Sequence, residues 1–287
     1  PLDNLRNAGL IYSNVVYNKS PVIMEMLVEK IGRDKFREAI QEYLKKYAYG
    51  NSDWDGLIDI LDSKTGDDLR AWSDIWVKGK GMPVISAERN GSKLVIKQSD
   101  ILNMNRVWPL DFAVMTYDND SERDLYKVEM NANIRVSEIM LADNIDYIVP
   151  DYDGKGYGYF RTDAQSTEWM LKNWGKLQPV VRFSMLMNLH EGVMHNDIEP
   201  EAFLQSIMSY THKETDSRIF RQILAYAGHC IELFIKPGHE LRDTYEDYLF
   251  RMAAGNMDAA FRTLALKSFS GIASSGTSSE RFYLILN

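Results

Sequence analysis

The chain has 287 residues, of which 45% are hydrophobic and 26% are charged, and its net charge is −8. This composition is typical of a folded protein with room for more than one domain, and it excludes disordered and collagen-like classes. No run of Lys and Arg could follow a phosphate backbone, so nucleic acid is not an expected partner, and no apolar run reaches membrane-spanning length.

The single cysteine, Cys230, excludes an intrachain disulfide and a cysteine-based metal cluster, but it leaves the cellular compartment open. Because the sequence begins with Pro1 rather than Met, any targeting signal is expected to lie upstream. The localisation is therefore not predicted.

Two tyrosines, Tyr12 and Tyr17, stand directly before a predicted amphipathic helix. Ser20 is a candidate N-cap and Pro21 suits the first helical position, and apolar residues then recur with helical spacing. The tyrosines are thus expected on a loop held by a packed helix, a common way to present a phenol to a site. The alternative is that both rings only pack at the helix entrance.

The rest of the first block, to residue 78, is predicted to be helical. A second helix has an apolar stripe from Phe36 to Tyr47 that includes Leu44, Ser52 is expected to cap a third helix, and Trp72 and Trp76 lie one turn apart on a fourth. The glycine- and proline-containing stretch 79–83 then ends the helical segment.

From Val84 the apolar period changes to two, which predicts a small β-sandwich that extends to about residue 162. The Asn90-Gly91 pair is a strong hairpin signal between the first two strands. Further strand-like runs cover residues 107–117, 125–130, 134–136 and 147–149.

From about Ser166 the helical period returns, with short links between helices, as in stacked helical hairpins of a solenoid. The predicted helices cover residues 166–177, 180–194, 199–211, 217–234, 240–254 and 257–272.

The segment from His190 to His195 resembles a zinc-binding motif but has the wrong spacing. An HExxH motif needs its histidines four residues apart on one helical face, whereas five residues turn them about 140° away from each other. The dipeptidyl-peptidase III family does use HExxxH, but it adds a second motif with glutamate and cysteine that nothing around Cys230 matches. We therefore expect His190 and His195 to form an ordinary helix end.

No other pattern supplies a complete active site. The histidines His212, His229 and His239 have no partner at metal-ligand spacing, and Cys230 is expected to be a buried structural thiol. The acidic residues of the third helix are expected on a solvated face; they are Asp53, Asp55, Asp59 and Asp62.

Several motifs follow one another in a specific order. They are Tyr12, Tyr17-Asn18-Lys19 with its helix, Gly32, Phe36, Tyr43-Leu44-Lys45-Lys46-Tyr47, Asn51, Trp72, Trp76, Gly81 and Pro83. This order resembles the second half of the catalytic domain in zinc aminopeptidases of the aminopeptidase N type, where Y-x-K-G-A opens such a helix. Later, 158–161 is similar to the family's G-Y-Y-R, and 203–216 is similar to L-x-x-Y-L-x-x-E-T-E of its C-terminal helical domain.

The resemblance covers nearly the whole chain and implies a multidomain, mainly α fold with a small β-sandwich. It implies that residues 1–82 are the α-helical remnant of a thermolysin-like catalytic domain and that residues 83–163 form the β-sandwich. Residues 164–287 would be a helical, solenoid-like domain that is expected to be truncated.

In this gluzincin family the HExxH helix, a more distant glutamate ligand and a G-x-M-E-N loop all lie upstream of the tyrosine motif. The resemblance therefore implies a C-terminal fragment of a larger zinc aminopeptidase that removes N-terminal residues from peptides. By this resemblance, zinc and the peptide substrate would belong to the parent protein, and the partner of this chain would be the N-terminal half of the same polypeptide. The fragment alone is expected to bind no zinc and to have no turnover.

By the same resemblance, Tyr17 matches the family tyrosine whose phenol hydrogen-bonds the oxyanion of the tetrahedral intermediate. Tyr12 matches a second tyrosine of the leukotriene hydrolase branch. Ser20-Pro21 stands where the family has Gly-Ala, which keeps the helix start but gives no basis for carrying over substrate-side detail.

Two alternatives stay open. One is a non-catalytic helical scaffold that binds a partner protein, and the other is an independent HExxxH zinc peptidase.

Overall fold

The computed structural model describes residues 19–131, 134–273, 276 and 278–286. Helices account for 55% of these described residues, and the strands among them form two small sheets. It divides into two compact units, one formed by residues 1–114, 125–143 and 155–160 and the other by residues 115–124, 144–154 and 161–287. The three-domain layout with boundaries after residues 82 and 163 stays a prediction.

The first unit opens with helices whose bounds are α1 Ser20–Ile31, α2 Arg33–Lys46, α3 Trp54–Ser63 and α4 Leu69–Ser73, and a π-helical turn, Asp74–Lys78, continues α4. The link between α1 and α2 is Gly32, whose φ of +85° favours a residue without Cβ. A buried stripe made of Ile23, Leu27 and Ile31 fixes α1 against its neighbours. The predicted α1 helix is therefore confirmed, although its N-cap is Lys19 rather than Ser20.

Two other details of this block differ from the sequence prediction. Asp53, not Ser52, caps α3, because its carboxylate accepts the Gly56 N–H at 2.9 Å. Leu44 is 63% exposed, since α2 packs through the face that carries Ala39 and Tyr47. An apolar residue beside a packed stripe is thus not always part of it.

The strands follow, and their bounds are β1 Pro83–Asn90, β2 Lys93–Asp100, β3 Leu110–Asp118, β4 Ser121–Met130, β5 Val136–Met140, β6 Tyr147–Pro150 and β7 Tyr159–Thr162. One sheet has the order β5-β2-β1-β7 and the other has the order β4-β3-β6. The predicted hairpin is confirmed, because β1 and β2 pair antiparallel from Pro83↔Asp100 to Asn90↔Lys93. Gly91 in the turn has a φ of +60°.

The prediction for β5 was wrong in position. A strand was expected over 134–136, whereas β5 runs from Val136 to Met140 and pairs antiparallel with β2. No residue of β5 is buried, so its sequence has no apolar alternation that could indicate its bounds. Backbone pairing with β2 fixes this strand.

The helices of the second unit are α5 Ala164–Asn173, α6 Pro179–Met194, α7 Pro200–Tyr210, α8 Ser217–Phe234, α9 Glu240–Ala254, α10 Ala259–Ile272 and α11 Ser278–Leu286. The helices predicted from periodicity are confirmed within a few residues, whereas α11 was not predicted. Proline at the first turn starts α6 and α7, and an aspartate carboxylate caps α5, α8 and α10. A continuous core of large side chains holds these helices together.

None of the helices in the described part of the chain is both long enough and apolar enough to cross a bilayer.

Candidate functional site

The two predicted site residues, Tyr12 and Tyr17, lie outside the described residues. What the structure describes is the backbone that follows Tyr17, from Lys19 onward. There Pro21 occupies the first turn of α1, and Ile23 and Leu27 are buried. The segment after Tyr17 is thus a helix anchored in the core of the first unit.

Lys19 marks the start of this helix. Its ammonium lies 5.6 Å from the centroid of the Tyr157 ring, which is cation–π distance. Burial, together with the positive charge of Arg106, lowers the pKa of Lys19 below its ordinary value. No carboxylate among the described residues forms an ion pair with it, so within this part of the chain the Tyr157 ring is a stabilising contact for the cation.

The Tyr157 ring belongs to an aromatic cluster. Trp76 and Tyr157 form an edge-to-face pair with ring centroids 6.0 Å apart and planes at 82°. The ring centroids of Trp76 and Trp108 are 4.9 Å apart. Trp76 is completely buried and donates its indole N–H to the Pro109 carbonyl at 2.9 Å. The cluster is therefore fixed both by ring packing and by a directional hydrogen bond.

An ion pair between a partly exposed arginine and a buried aspartate extends this cluster. Arg106 donates two hydrogen bonds to Asp100, one of them from Nη2 to Oδ1 at 2.9 Å, and the Arg106 hydrogen bonds lower the pKa of Asp100. The guanidinium also lies 4.8 Å from the Trp108 ring centroid. The Gln98 side chain donates to the Trp108 carbonyl oxygen and accepts a hydrogen bond from the Trp108 backbone N–H. Both backbone polar groups of Trp108 are therefore bonded to one side chain.

In the second unit the structure separates the two histidines of the HExxxH segment. His190 is 6% exposed and stacks on Tyr226 with centroids 3.9 Å apart, whereas His195 follows the end of α6 with its Nε2 3.5 Å from Glu191 Oε2. Burial and then His229 lower the pKa of His190 to about 4. The prediction that this segment ends a helix is confirmed, because α6 ends at Met194 and His195 is its C-cap residue.

The described residues do not fit a zinc ion. No group of three or more His, Cys, Asp or Glu side chains among them could hold a metal. His190 has no hydrogen-bond partner for either ring nitrogen among these residues, and a ligating histidine is normally oriented by such a partner. The helical segment around His190 therefore has the chemistry of a core and not of a zinc centre.

The remaining sequence candidates have structural roles. Cys230 is fully buried with its Sγ 3.6 Å from the Pro200 carbonyl oxygen, and burial followed by the charge of Glu201 raises the pKa of its thiol to about 12. His239 caps α9 by accepting the Leu241 N–H at 3.2 Å. The acidic residues of α3 cap that helix, accept a backbone N–H, or pair with Lys78 and Arg70.

Sequence reasoning missed one buried charged pair. Arg182 on α6 donates to both carboxylate oxygens of Glu214, at 2.9 and 2.8 Å, and Glu214 also accepts the N–H groups of Thr215 and Asp216. Glu214 belongs to the segment 203–216 that resembles the family's C-terminal helical domain. The glutamate of that motif is thus a structural residue that ties α6 to the start of α8.

The class of protein follows from comparison with known families. The model of the Peptidase family M1 domain matches residues 2–76, which include Tyr12, Tyr17 and the helices α1 to α4. The chain is therefore a relative of the M1-family aminopeptidases, which are zinc-dependent metallopeptidases and thus hydrolases. The relationship predicted from the order of motifs is confirmed.

Three particular relatives define the extent of this similarity. Tricorn protease-interacting factor F2 of Thermoplasma acidophilum is 25% identical over 247 residues, which are 84% of this chain and 29% of that protein. Aminopeptidase M1-B of Oryza sativa subsp. japonica is 31% identical over 93 residues, 32% of this chain and 11% of that protein. Aminopeptidase 2, mitochondrial, of Saccharomyces cerevisiae is 30% identical over 110 residues, 38% of this chain and 12% of that protein. The chain thus spans less than a third of the length of these relatives.

Proposed function

We propose that this chain is the C-terminal part of a zinc aminopeptidase that removes N-terminal residues from peptides. The observation that carries the proposal is the match of the M1 domain to residues 2–76, the segment in which both candidate tyrosines stand. The similarity to factor F2 continues over 84% of the chain, so it includes residues well beyond this domain.

In this proposal Tyr17 donates its phenolic O–H to the oxyanion of the tetrahedral intermediate. A neutral donor held in position stabilises charge that is present only in the transition state, and loss of one such donor typically costs about 3–4 kcal/mol. Tyr12 is proposed as a second hydroxyl of the same site. The buried stripe of α1 supports this role because it anchors the backbone that follows Tyr17.

The zinc of the family is proposed to belong to a part of the same polypeptide on the N-terminal side of this chain. That part would also bind the amino terminus of the peptide and pack against residues 1–82. Because the described residues do not fit a metal ion, we expect the isolated chain to bind no catalytic zinc and to show no turnover.

The coding sequence on the N-terminal side of Pro1 tests this proposal directly. We expect it to encode an HExxH motif followed by a more distant glutamate, in frame with Pro1. A coding sequence that contains neither motif would contradict the aminopeptidase proposal.

The isolated chain provides a second test. Purified chain is assayed on aminoacyl-nitroanilides with and without added zinc, beside His190→Ala and the control His239→Ala. We expect no hydrolysis by any of the three proteins. Zinc-dependent hydrolysis that disappears only in His190→Ala would contradict the proposal and favour an independent HExxxH peptidase.

A second candidate function is a helical scaffold that binds a partner protein without catalysis. The relative with the longest match reported above is named an interacting factor of the tricorn protease, which favours this second candidate. An upstream HExxH would count against this alternative, whereas a polypeptide that lacks HExxH but binds a large protease in size-exclusion chromatography would support it.

A further inference from the structure

The segment formed by Lys155, Gly156, Tyr157 and Gly158 contacts helix α1 at two separate points. Near the end of α1, the Lys155 ammonium lies 3.1 Å from Glu29 Oε1, and both side chains are about half exposed, at 51% and 50%. At the start of α1, the Lys19 ammonium lies over the Tyr157 ring at 5.6 Å. Exposed ion pairs contribute little, so of these two contacts the one with Tyr157 is better able to hold the start of α1, ahead of the buried stripe that anchors the rest of the helix.

Tyr157 is itself held rigidly. The buried Trp76 packs against it in an edge-to-face pair, with ring centroids 6.0 Å apart. The backbone of the next residue approaches β1 so closely that a Cβ on Gly158 would lie 2.8 Å from the Pro83 carbonyl oxygen, a distance that real Cβ atoms do not show. The position of the Tyr157 ring is thus restricted by its neighbours.

Lys19 is the residue through which Tyr157 can act on the proposed site. Only one residue separates it from Tyr17, so the two Cα atoms are at most about 7 Å apart. No carboxylate of the described residues competes with Tyr157 for its ammonium. Its half-buried position also limits the alternative rotamers it can adopt.

We propose that Tyr157 is a positioning residue that fixes Lys19 and, through it, the backbone carrying Tyr17. The inference rests on the role proposed above for Tyr17. In this proposal Tyr157 acts through Lys19 and not on a reacting group. It acts by holding the Lys19 end of α1, two residues after Tyr17 in the sequence.

The first test uses this chain and needs no activity. Amide hydrogen exchange of residues 20–27 is measured by mass spectrometry in wild type, Tyr157→Ala, Lys19→Met and the matched control Lys155→Ala. We expect exchange to become about 2- to 30-fold faster in Tyr157→Ala and Lys19→Met, the range that loss of one cation–π contact allows, and to be unchanged in Lys155→Ala. Unchanged exchange in Tyr157→Ala and Lys19→Met, or an equal increase in Lys155→Ala, would overturn the proposal.

The second test measures kcat and KM in the polypeptide that carries both this chain and the proposed zinc-bearing part. We expect Tyr157→Ala to lower kcat about 2- to 30-fold with little change in KM, and we expect Tyr157→Phe, which keeps the ring, to restore most of the rate. In a Tyr17→Phe background, Tyr157→Ala should cause no further loss, because both changes act on the same phenol.

The outcomes separate the two proposals. If Tyr17→Phe lowers kcat and Tyr157→Ala does not, or if the two losses are additive, the positioning role is wrong and the function of Tyr17 stands. If Tyr17→Phe leaves kcat unchanged, the function proposed for Tyr17 is wrong and the positioning role is wrong with it.

Discussion

Replacing Glu214 by Gln keeps the shape of a buried side chain while it removes its charge. The carboxylate accepts hydrogen bonds from Arg182 at 2.9 and 2.8 Å and from two backbone N–H groups at 2.8 Å each. The exposed fraction is 9% for the Arg182 side chain and 0% for that of Glu214. In Glu214→Gln the guanidinium therefore stays buried without an anion.

Breaking a buried ion pair on one side costs about 3–5 kcal/mol, because the remaining charge is uncompensated. In a protein of this size, 1 kcal/mol corresponds to about 2–4 °C in Tm. We therefore expect Glu214→Gln to lower the Tm by about 6–20 °C, measured by circular dichroism at neutral pH.

The control is Glu168→Gln, the same chemical change in a surface pair. Glu168 pairs with Lys172 within α5, and their side chains are 68% and 67% exposed. Such a pair contributes at most about 1 kcal/mol, so the control should remain near the wild-type Tm. Equal Tm values for the two variants would refute the reasoning that the buried pair stabilises the second unit.

Three further predictions concern the second unit. The pKa of His190 is lowered to about 4 in the folded chain, whereas its unfolded value is about 6.5. The unfolded chain therefore binds the proton first as the pH falls, and the free energy of unfolding should decrease by about 2 kcal/mol between about pH 7 and about pH 5. Urea titrations should show a smaller loss in His190→Phe, and an equal loss would contradict this cause. Because the Cys230 thiol is buried and its pKa is raised, it should resist iodoacetamide at about pH 8 in the folded chain and react fully in urea. Rapid alkylation of the folded chain would contradict this, because it would show that the thiol is accessible. Gly175→Ala should destabilise the fold by about 1–3 kcal/mol, because its Cβ would lie 2.2 Å from the Tyr210 ring; an unchanged urea midpoint would contradict this.

Local patterns predicted the fold well wherever one face of an element is buried. The helical period located α5 to α10, and Asn90-Gly91 located the β1–β2 hairpin, because these signals act within a few residues. The pattern failed for β5, which has no buried residue, and for the cap of α3, where Ser52 and Asp53 are both good capping residues. Position relative to the helix, not residue type, decides between such neighbours.

The candidate site was predicted by the order of motifs and not by any single spacing. Tyr12 and Tyr17 could be named because the downstream tryptophans, glycines and the Gly158-Tyr159-Phe160-Arg161 segment follow in the order of the family. The contact of Lys19 with Tyr157 could not be predicted, because it joins residues far apart in the sequence and depends on tertiary packing. The same is true of Arg182 and Glu214, whose pairing requires α6 and the start of α8 to be in place.

The most direct test of the proposed function is kcat of Tyr17→Phe in the polypeptide that includes the proposed zinc-bearing part. Tyr49→Phe is the matched control, because Tyr49 is fully exposed and removal of its hydroxyl should not alter the rate. If Tyr17 donates to the oxyanion, kcat should fall by about 10²- to 10³-fold while KM changes little. A Tyr17→Phe enzyme with the same kcat as the Tyr49→Phe control would contradict the catalytic role of Tyr17.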